Sequence, residues 1–307
     1  MNDFEIKSIK DVCDNVSRSF DFSKYEKVVF VNTGDVLEGK FLHQNLVDQD
    51  NLPGQAKKAI EKNDILFSEI RPINKRFTFV NEDSDNFVVS TKFMVIKSKK
   101  CVLPKYLYHF LKNGQNIKKF QLEAEARSGT FPQITFESIE YFPIGVPLLK
   151  IQEKIVSFLD DIEDKIDKNH KSIQNLERVS NELYNSLFSD FLPTIEKKQQ
   201  NNINFNSKIL DLFPNELIDI ENKQIPKGWE FKKLSNFCSE NKKKINPSLF
   251  NNEDFEVYDI GSFDSENFPS VLNANKLKSQ KSLISENMIL ISKLNPETPR
   301  IWCPLSK

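Results

Sequence analysis

The side chains best suited to chemistry in this sequence are cations, concentrated between Arg71 and Arg127. That stretch holds twelve lysines and arginines against five acidic residues, although the whole chain is nearly neutral, with 43 basic and 44 acidic residues. Long cations in loops or at strand ends can reach DNA phosphates or a guanine edge. Two hydroxyls and a glycine directly follow Arg127 and suit a contacting loop. The residues predicted to contact DNA are Arg71, Lys75, Arg76, Lys92, Arg127, Ser128 and Thr130.

A solvated surface is the second interpretation of these cations, and charge alone leaves it open. Catalytic patterns are missing. The three histidines have no metal-ligand spacing, the four cysteines are scattered without a C-x-x-C pair, and no glycine-rich phosphate-binding motif occurs. The sequence therefore predicts no catalytic residue, no metal site and no cofactor bound directly by this chain.

A long helix is predicted over residues 151–191, where apolar residues recur at alternating steps of four and three. This repeat of about 3.5 residues is typical of a coiled coil. No proline or glycine interrupts the stretch, and a helix of this kind needs a second helix to cover its apolar seam. Asn169 lies in mid-seam, where a polar residue commonly fixes register; the alternative is that it faces solvent. The predicted interface residues are Ile155, Leu159, Ile162, Ile166, Asn169, Ile173, Leu176, Leu183 and Leu187.

The fold class predicted around this helix is mixed α/β (α+β). Residues 1–147 form a first globular domain, residues 148–192 the long helix, residues 193–224 a polar linker and residues 225–307 a second domain. β-branched and aromatic residues predict strands in the first domain, and a proline opens a predicted helix. The predicted strands are Lys27–Gly34, Asp64–Ser68, Phe77–Val80 and Phe87–Ile96. The predicted helix lies within Leu103–Lys119 and ends before Gly114 or soon after it.

The second domain is predicted to be a partial copy of the first. The segment from Ile6 to Asp14 aligns with the segment from Phe231 to Ser239, and Asn63–Pro72 aligns with Asn287–Pro296 at nearly the same offset. Two matches in one register indicate an internal repeat. The second copy has no counterpart of residues 87–191.

The composition predicts a cytoplasmic protein. The sequence has no apolar run of about eighteen residues that could cross a membrane, and its N-terminal residues lack the pattern of a signal peptide. Scattered cysteines fit a reducing compartment.

Several segments together resemble the specificity (S) subunits of type I restriction–modification systems. The order of these segments, with the repeat and the long helix, is more specific than any one of them. The segments run from Asn63 to Phe77, Ser90 to Phe93, Ser128 to Ile134, Phe142 to Ile155 and Ile225 to Leu234.

The resemblance implies a non-catalytic subunit that binds double-stranded DNA. In that family each target-recognition domain reads one half of a bipartite site, and the helices set the distance between the halves. The partners implied are modification subunits, which bind S-adenosylmethionine and methylate adenine, and a restriction subunit that uses ATP and Mg. No base contact is transferred from the family to a residue here, so the predicted DNA contacts depend on the charge argument.

One departure from the family pattern leaves three functions open. A full S subunit has two complete recognition domains and two antiparallel helices, whereas this sequence carries one long helix and a partial second domain. The leading hypothesis is a specificity subunit whose helix pairs with that of a second copy, forming a homodimer. The alternatives are a coiled-coil adaptor that binds protein partners and an inactive remnant of a specificity subunit.

Overall fold

The structure is a computed structural model. It describes residues 4–199, 205–220, 222–250, 252–266, 268–285 and 287–304. The chain divides into two compact units, Met1–Leu183 and Tyr184–Lys307.

The first unit is mixed α/β, as predicted. Its helices are α1 (Ile9–Val12), α2 (Pro104–Leu111), α3 (Gly114–Arg127) and α4 (Phe136–Ile139), and the long helix α5 (Leu149–Phe188) begins in it. Its strands are β1 (Phe4–Ser8), β2 (Cys13–Asn15), β3 (Arg18–Ser19), β4 (Lys27–Val31), β5 (Val36–Leu37), β6 (Lys40–Phe41), β7 (Leu46–Asp48), β8 (Ala56–Ala59), β9 (Ile65–Ser68), β10 (Phe77–Phe79), β11 (Phe87–Ser90), β12 (Phe93–Ser98) and β13 (Pro143–Pro147).

Two sheets organise this unit. Five strands follow the order β3-β8-β11-β4-β7, in which β11 and β4 are parallel, and four antiparallel strands follow the order β10-β9-β12-β2. A further ribbon pairs β1 with β13, and β13 leads directly into the long helix. The ribbon therefore joins the start of the chain to the start of α5.

The four-stranded sheet is buried on both faces, which explains why its strands are continuously apolar. Along β12, Met94 and Ile96 pack in the core formed with α2 and α3. Phe93 and Val95 point to the opposite face and pack in the core shared with the five-stranded sheet. Successive side chains of a strand alternate between faces, so one apolar run supplies two cores.

Two predicted elements are each divided in the structure. The strand predicted from Phe87 to Ile96 becomes β11 and β12, because the chain changes sheets between them, and the Ser90 hydroxyl accepts a hydrogen bond from the Lys92 N–H at 3.2 Å. The helix predicted from Leu103 to Lys119 becomes α2 and α3. Asn113 caps α3 by accepting a hydrogen bond from the Gln115 N–H at 2.9 Å.

The long helix is confirmed as one uninterrupted element of 40 residues, which at 1.5 Å per residue is about 60 Å long. It begins just after β13, and the Leu148 carbonyl accepts hydrogen bonds from the N–H groups of Ile151 and Gln152. An unbroken helix follows from its sequence, since no residue between its ends breaks the backbone ladder.

The second unit contains more structure near its start than a linker. Residues 193–224, predicted to connect two domains, include helices and a strand that pairs with the next one. Leu210 and Phe213 are buried, and Phe213 and Trp229 pack with Phe188. The elements of this unit are α6 (Leu192–Gln199), α7 (Ser207–Leu210), β14 (Leu217–Ile220), β15 (Lys223–Pro226), β16 (Lys244–Ile245), β17 (Asp254–Val257), α8 (Ile260–Glu266), β18 (Ser270–Asn273), β19 (Lys281–Ser282), β20 (Leu290–Ile291) and β21 (Ile301–Trp302).

The internal repeat is confirmed by matching hydrogen bonds and strand pairing. The Ser68 N–H donates to the Arg76 carbonyl at 2.9 Å, and at the same alignment offset the Ser292 N–H donates to the Arg300 carbonyl at 3.0 Å. The antiparallel pair β9–β10 corresponds to the pair β20–β21. Asn63 has a φ of 71° and its counterpart Asn287 a φ of 60°, so both use the left-handed conformation that asparagine tolerates. The two copies share this hairpin and not only a sequence pattern.

Candidate nucleic-acid interface

Two loops of the first unit are held side by side, and here they are named the paired loops: residues 69–76 and 128–134. The Arg71 N–H donates to the Pro132 carbonyl at 3.0 Å, and the Ile134 N–H donates to the Glu69 carbonyl at 2.8 Å. The Gln133 side-chain amide also donates to the Glu69 carboxylate at 2.7 Å. These bonds join segments about sixty residues apart into one surface.

Backbone strain marks the first of these loops. Arg71 (φ 43°) and Lys75 (φ 55°) are both left-handed and flank a 3₁₀ turn at Pro72–Asn74. Holding a residue with a β-carbon in the left-handed conformation costs about 1 kcal/mol of conformational free energy. The turn is supported by the Gln121 side chain, which accepts a hydrogen bond from the Ile73 N–H at 3.1 Å, and the Ile73 side chain is exposed. The strain is thus held by the surrounding structure, which is the situation common at binding sites.

Arg71, Lys92, Ser128 and Thr130 meet at the paired loops. The guanidinium of Arg71 donates to the Thr130 carbonyl at 3.4 Å, and the Ser128 hydroxyl accepts a hydrogen bond from the Phe131 N–H at 3.2 Å. The Lys92 carbonyl accepts from the N–H of Glu69 at 2.9 Å, which places this lysine next to the first loop. The structure therefore brings two predicted cations and both predicted hydroxyl residues together.

The other three predicted cations form specific bonds within the unit. Lys75 pairs with Glu38 at 2.6 Å. One nitrogen of the Arg76 guanidinium donates to the carbonyls of Gly34 and Val36, both at 2.9 Å. Arg127 donates to the hydroxyls of Thr135 and Ser138 at 3.2 and 2.9 Å. Arg76 in particular holds the loop before β5 in place, so its removal is expected to alter folding as well as any ligand contact.

A buried glutamine holds the start of the long helix against the first unit. The side-chain oxygen of Gln152 accepts from the Leu103 N–H at 2.8 Å, and its nitrogen donates to the carbonyls of Cys101 and Pro147 at 3.1 and 2.8 Å. Gln152 is fully buried. A buried amide with all these partners fixes the direction in which α5 leaves the domain.

Further along, basic side chains of α2, of Lys112 directly after α2 and of β6 contact carboxylates of the same helix. These contacts are here named the ion-pair ladder. The acidic members lie on α5 at spacings of three and four, which puts them on one side of the helix. The contacts are Lys105–Asp160 at 2.6 Å, His109–Asp160 at 3.2 Å, His109–Glu163 at 3.7 Å, Lys112–Glu163 and Lys40–Asp167 at 2.7 Å.

The pKa values of two members of the ladder, Asp160 and His109, lie below their ordinary values. Burial opposes ionisation of Asp160, but hydrogen bonds from Lys105 and His109 hold the pKa of this carboxyl below its usual range. Burial, together with the positive charge of Lys112, lowers the pKa of the His109 imidazole. His109, Asp160 and Glu163 are also close enough together to be considered as metal ligands. Both carboxylates are already bonded to lysine ammonium groups, so the arrangement is that of a salt-bridge network.

The apolar seam of the long helix lies beside the ladder and is open. Ile155 and Leu159 are half-buried, while Ile166 and Ile173 are 48% and 53% exposed. Each ladder carboxylate follows a seam residue by one position, a rotation of about 100° around the helix. The domain therefore contacts the flank of α5 and leaves the seam free. The remaining predicted interface residues also stay partly or fully accessible: Ile162, Asn169, Leu176, Leu183 and Leu187.

Gln152 and the ladder were not predicted from the sequence. Asp160, Glu163 and Asp167 share one helical side, and Lys105, His109 and Lys112 share one side of α2. These two spacings are a signal that could have indicated the contact. Gln152 offered no such signal, because a single polar residue near a helix start is equally compatible with an exposed position.

Comparison with protein families decides the classification. A family model described as the type I restriction modification DNA specificity domain matches residues 1–178. The chain belongs to this family. The match includes the two sheets, the paired loops, Gln152, the ion-pair ladder and most of the long helix.

Curated relatives of this family member carry matching descriptions. The Haemophilus influenzae protein named type I restriction enzyme HindI specificity subunit is 37% identical over 297 residues, covering 82% of this chain and 65% of that protein. The Methanocaldococcus jannaschii type I restriction enzyme MjaIX specificity subunit is 24% identical, covering 76% of this chain and 51% of that protein. The chain thus spans between half and two thirds of the length of these relatives.

A solved structure described as the HsdS subunit from Thermoanaerobacter tengcongensis covers 95% of this chain and 69% of its own, at 17% identity and a TM-score of 0.46. Within the described residues, no helix is both long enough and apolar enough to span a membrane.

Proposed function

We propose that this chain is a DNA-recognition subunit of a type I restriction–modification complex and that the paired loops contact the DNA. The observation that carries the proposal is the convergence of Arg71 and Lys92 on loops joined by backbone hydrogen bonds. Cations on a fixed frame bind phosphates in a defined register, from which base edges can be read.

The long helix is the element that sets the distance between two DNA-reading domains. Gln152 and the ion-pair ladder fix its first half to the recognition domain. A second DNA-reading domain attached to a partner helix would then lie at a set distance. That distance must match the helical repeat of DNA, about 34–36 Å per turn, for both domains to face their grooves together.

We further infer that the open seam pairs with the seam of a second copy, forming a homodimer. Exposed isoleucines and leucines repeating along one side of a helix gain stability only when another helix covers them. A two-fold dimer would present two recognition domains and read a palindromic bipartite site.

The proposed chemistry of the complex lies with the partners of this chain. The modification subunits would bind S-adenosylmethionine and methylate adenine, and the restriction subunit would use ATP and Mg. This chain would bind neither cofactor and would be non-catalytic. Because its partners act on intracellular DNA, the proposed location is the cytoplasm.

A salt titration separates DNA recognition from the alternative of a coiled-coil adaptor. Fluorescence anisotropy of a labelled duplex would be followed between about 50 and 200 mM salt, and a reader that contacts several phosphates loses affinity steeply over this range. Absence of salt-dependent binding would favour the adaptor. Co-expression with a modification subunit, followed by mapping of methyladenine, then tests target and symmetry.

A further inference from the structure

A tight turn just before β8, residues 53–56 and here named the Gln55 turn, holds a glutamine beside the connection between the two sheets. The turn is closed by a hydrogen bond of 2.9 Å from its last N–H to its first carbonyl. The Thr91 N–H donates to the Gln55 carbonyl, also at 2.9 Å. The Ser90 hydroxyl donates to the side-chain oxygen Oε1 of Gln55 at 3.3 Å. These bonds fix both the backbone and the side chain of Gln55.

The hydroxyl that holds Gln55 belongs to a fully buried serine. Ser90 is 0% exposed, and the register of β11 against β8 shifts between Val89 and Ser90. A shift of this kind changes the direction of the side chains that follow it and is common beside binding sites. The same hydroxyl accepts a hydrogen bond from the Lys92 N–H at 3.2 Å. One buried group therefore contacts both Gln55 and the residue that carries a predicted DNA-binding cation.

The Gln55 turn is connected to the paired loops by two further contacts. The Lys92 carbonyl accepts from the N–H of Glu69, the first residue of the paired loops, at 2.9 Å. From β8, the Lys58 ammonium donates to the Phe93 carbonyl at 2.7 Å. Burial lowers the pKa of Lys58, and the negative charge of Glu69 opposes this shift. The turn and the first of the paired loops therefore belong to one bonded frame.

The side-chain amide of Gln55 has bonding capacity that the fold does not use. Gln55 is half-buried, and its nitrogen Nε2 forms no hydrogen bond with the residues that the structure describes. Gln152, by contrast, uses both its oxygen and its nitrogen within the fold. A side-chain amide carries two N–H donors and an oxygen with two lone pairs. Gln55 therefore keeps two donors and one lone pair for a ligand.

A donor beside an acceptor matches the major-groove edge of adenine. Adenine presents its N6 amino donor next to its N7 acceptor, and a glutamine amide can bond to both. Guanine presents two acceptors there, and cytosine and thymine each present one polar group. The Lys92 ammonium forms no hydrogen bond or ion pair with the described residues, so it can bind a phosphate. A fixed amide near a free cation is suited to base reading, since the phosphate contact sets the register.

We propose that Gln55 reads an adenine of the target in the major groove, with Nε2 donating to N7 and Oε1 accepting from the N6 amino group. Ser90 is the positioning residue, because it is buried and holds the amide oxygen. The inference rests on the proposed function and deepens it by assigning one base to one side chain.

Duplexes with an altered adenine test this assignment. Methyladenine mapping after co-expression with a modification subunit first gives the wild-type target. The purified complex is then titrated by fluorescence anisotropy with duplexes in which each target adenine in turn is replaced by 7-deazaadenine, which has a C–H group in place of the N7 acceptor. We expect one position at which the wild-type complex loses affinity about tenfold and the Gln55→Ala complex loses none.

Gln55→Glu separates the lost base contact from a folding defect. The glutamate keeps an oxygen for the Ser90 hydroxyl but has no N–H donor, so the melting temperature should be unchanged. At the same position the preference for adenine should be lost and cytosine accepted instead, because the cytosine N4 amino group donates to a carboxylate. Gln44→Ala, at an exposed position before β7, is the matched control and should respond to every altered adenine as wild type does.

The outcomes separate this inference from the proposed function. A wild-type response of both Gln55 variants at every adenine would overturn the inference and leave salt-dependent DNA binding intact. Wild-type DNA preference combined with loss of assembly with the modification subunit would assign Gln55 to a protein contact and also overturn it. Absence of salt-dependent DNA binding by the wild-type complex would overturn both.

Discussion

The side-chain oxygen of Gln152 accepts a hydrogen bond from the backbone N–H of Leu103 at 2.8 Å. This contact joins the first turns of α5 to the residue that precedes α2, and the side-chain nitrogen of Gln152 bonds to two further carbonyls. The direction in which the long helix leaves the first unit is therefore set by contacts inside that unit.

Gln152→Ala is expected to lower the free energy of unfolding of the first unit by about 1–3 kcal/mol, because it leaves buried backbone groups without partners. Urea denaturation followed by circular dichroism measures the change. Gln174→Ala, at an exposed position of the same helix, is the matched control and should change stability by less than about 0.5 kcal/mol. Equal midpoints for the two variants would contradict the positioning role of Gln152.

Asp160→Asn is expected to destabilise the protein at pH 7 by about 1 kcal/mol, because it removes the charge that faces Lys105. The folded-state pKa of Asp160 lies below its usual value. The stabilising effect is therefore present above about pH 4 and is lost as the pH falls through the folded-state pKa.

Urea midpoints of wild type and Asp160→Asn should consequently differ at pH 7 and converge as the pH falls through the folded-state pKa of Asp160. Asp164→Asn changes an exposed carboxylate of the same helix that forms no ion pair with the described residues and serves as the control. A difference that stays constant across this pH range would show that the Asp160 carboxylate is not the titrating group.

Ile166→Asp combined with Ile173→Asp should abolish pairing of the long helix, since a charge would be buried in the seam of any dimer. Both residues are about half exposed in the single chain, so the monomer fold should be retained. Sedimentation equilibrium at micromolar concentration measures the mass. The control changes Lys165 and Gln174, outside the seam, to Asp. A wild-type mass equal to one chain would contradict self-pairing.

Lys92→Ala should weaken DNA binding without changing thermal stability, because its ammonium group forms no hydrogen bond or ion pair with the described residues. We expect the slope of log affinity against log salt to fall by about 1, the effect of losing one phosphate contact. Lys62→Ala, at the opposite end of β9 from the paired loops, is the control and should leave the slope unchanged.

Arg76→Ala is expected to behave differently, although the sequence placed Arg76 and Lys92 in the same group. Its loss removes two hydrogen bonds to the carbonyls of Gly34 and Val36, so the unfolding midpoint should fall together with DNA affinity. A thermal melt separates the two cases: an unchanged melting temperature would assign Arg76 to ligand contact alone.

The sequence by itself determined the long helix, its seam, the internal repeat and five of the thirteen described strands of the first unit, namely β4, β9, β10, β11 and β12. These features depend on patterns within a few consecutive residues or on direct similarity between segments, and both can be read along the chain. It also determined the family, because the order of segments such as Asn63–Phe77 and Ser128–Ile134 is itself a sequence property.

Only the tertiary structure decided which polar side chains form bonds with other segments of the fold. Arg76 and Lys92 look alike in sequence, yet the guanidinium of Arg76 bonds to carbonyls some forty residues away, whereas the ammonium of Lys92 bonds to none of the described residues. Gln152 and the ion-pair ladder likewise join segments about fifty residues apart. Such contacts depend on how distant segments pack in space, which local periodicity does not encode.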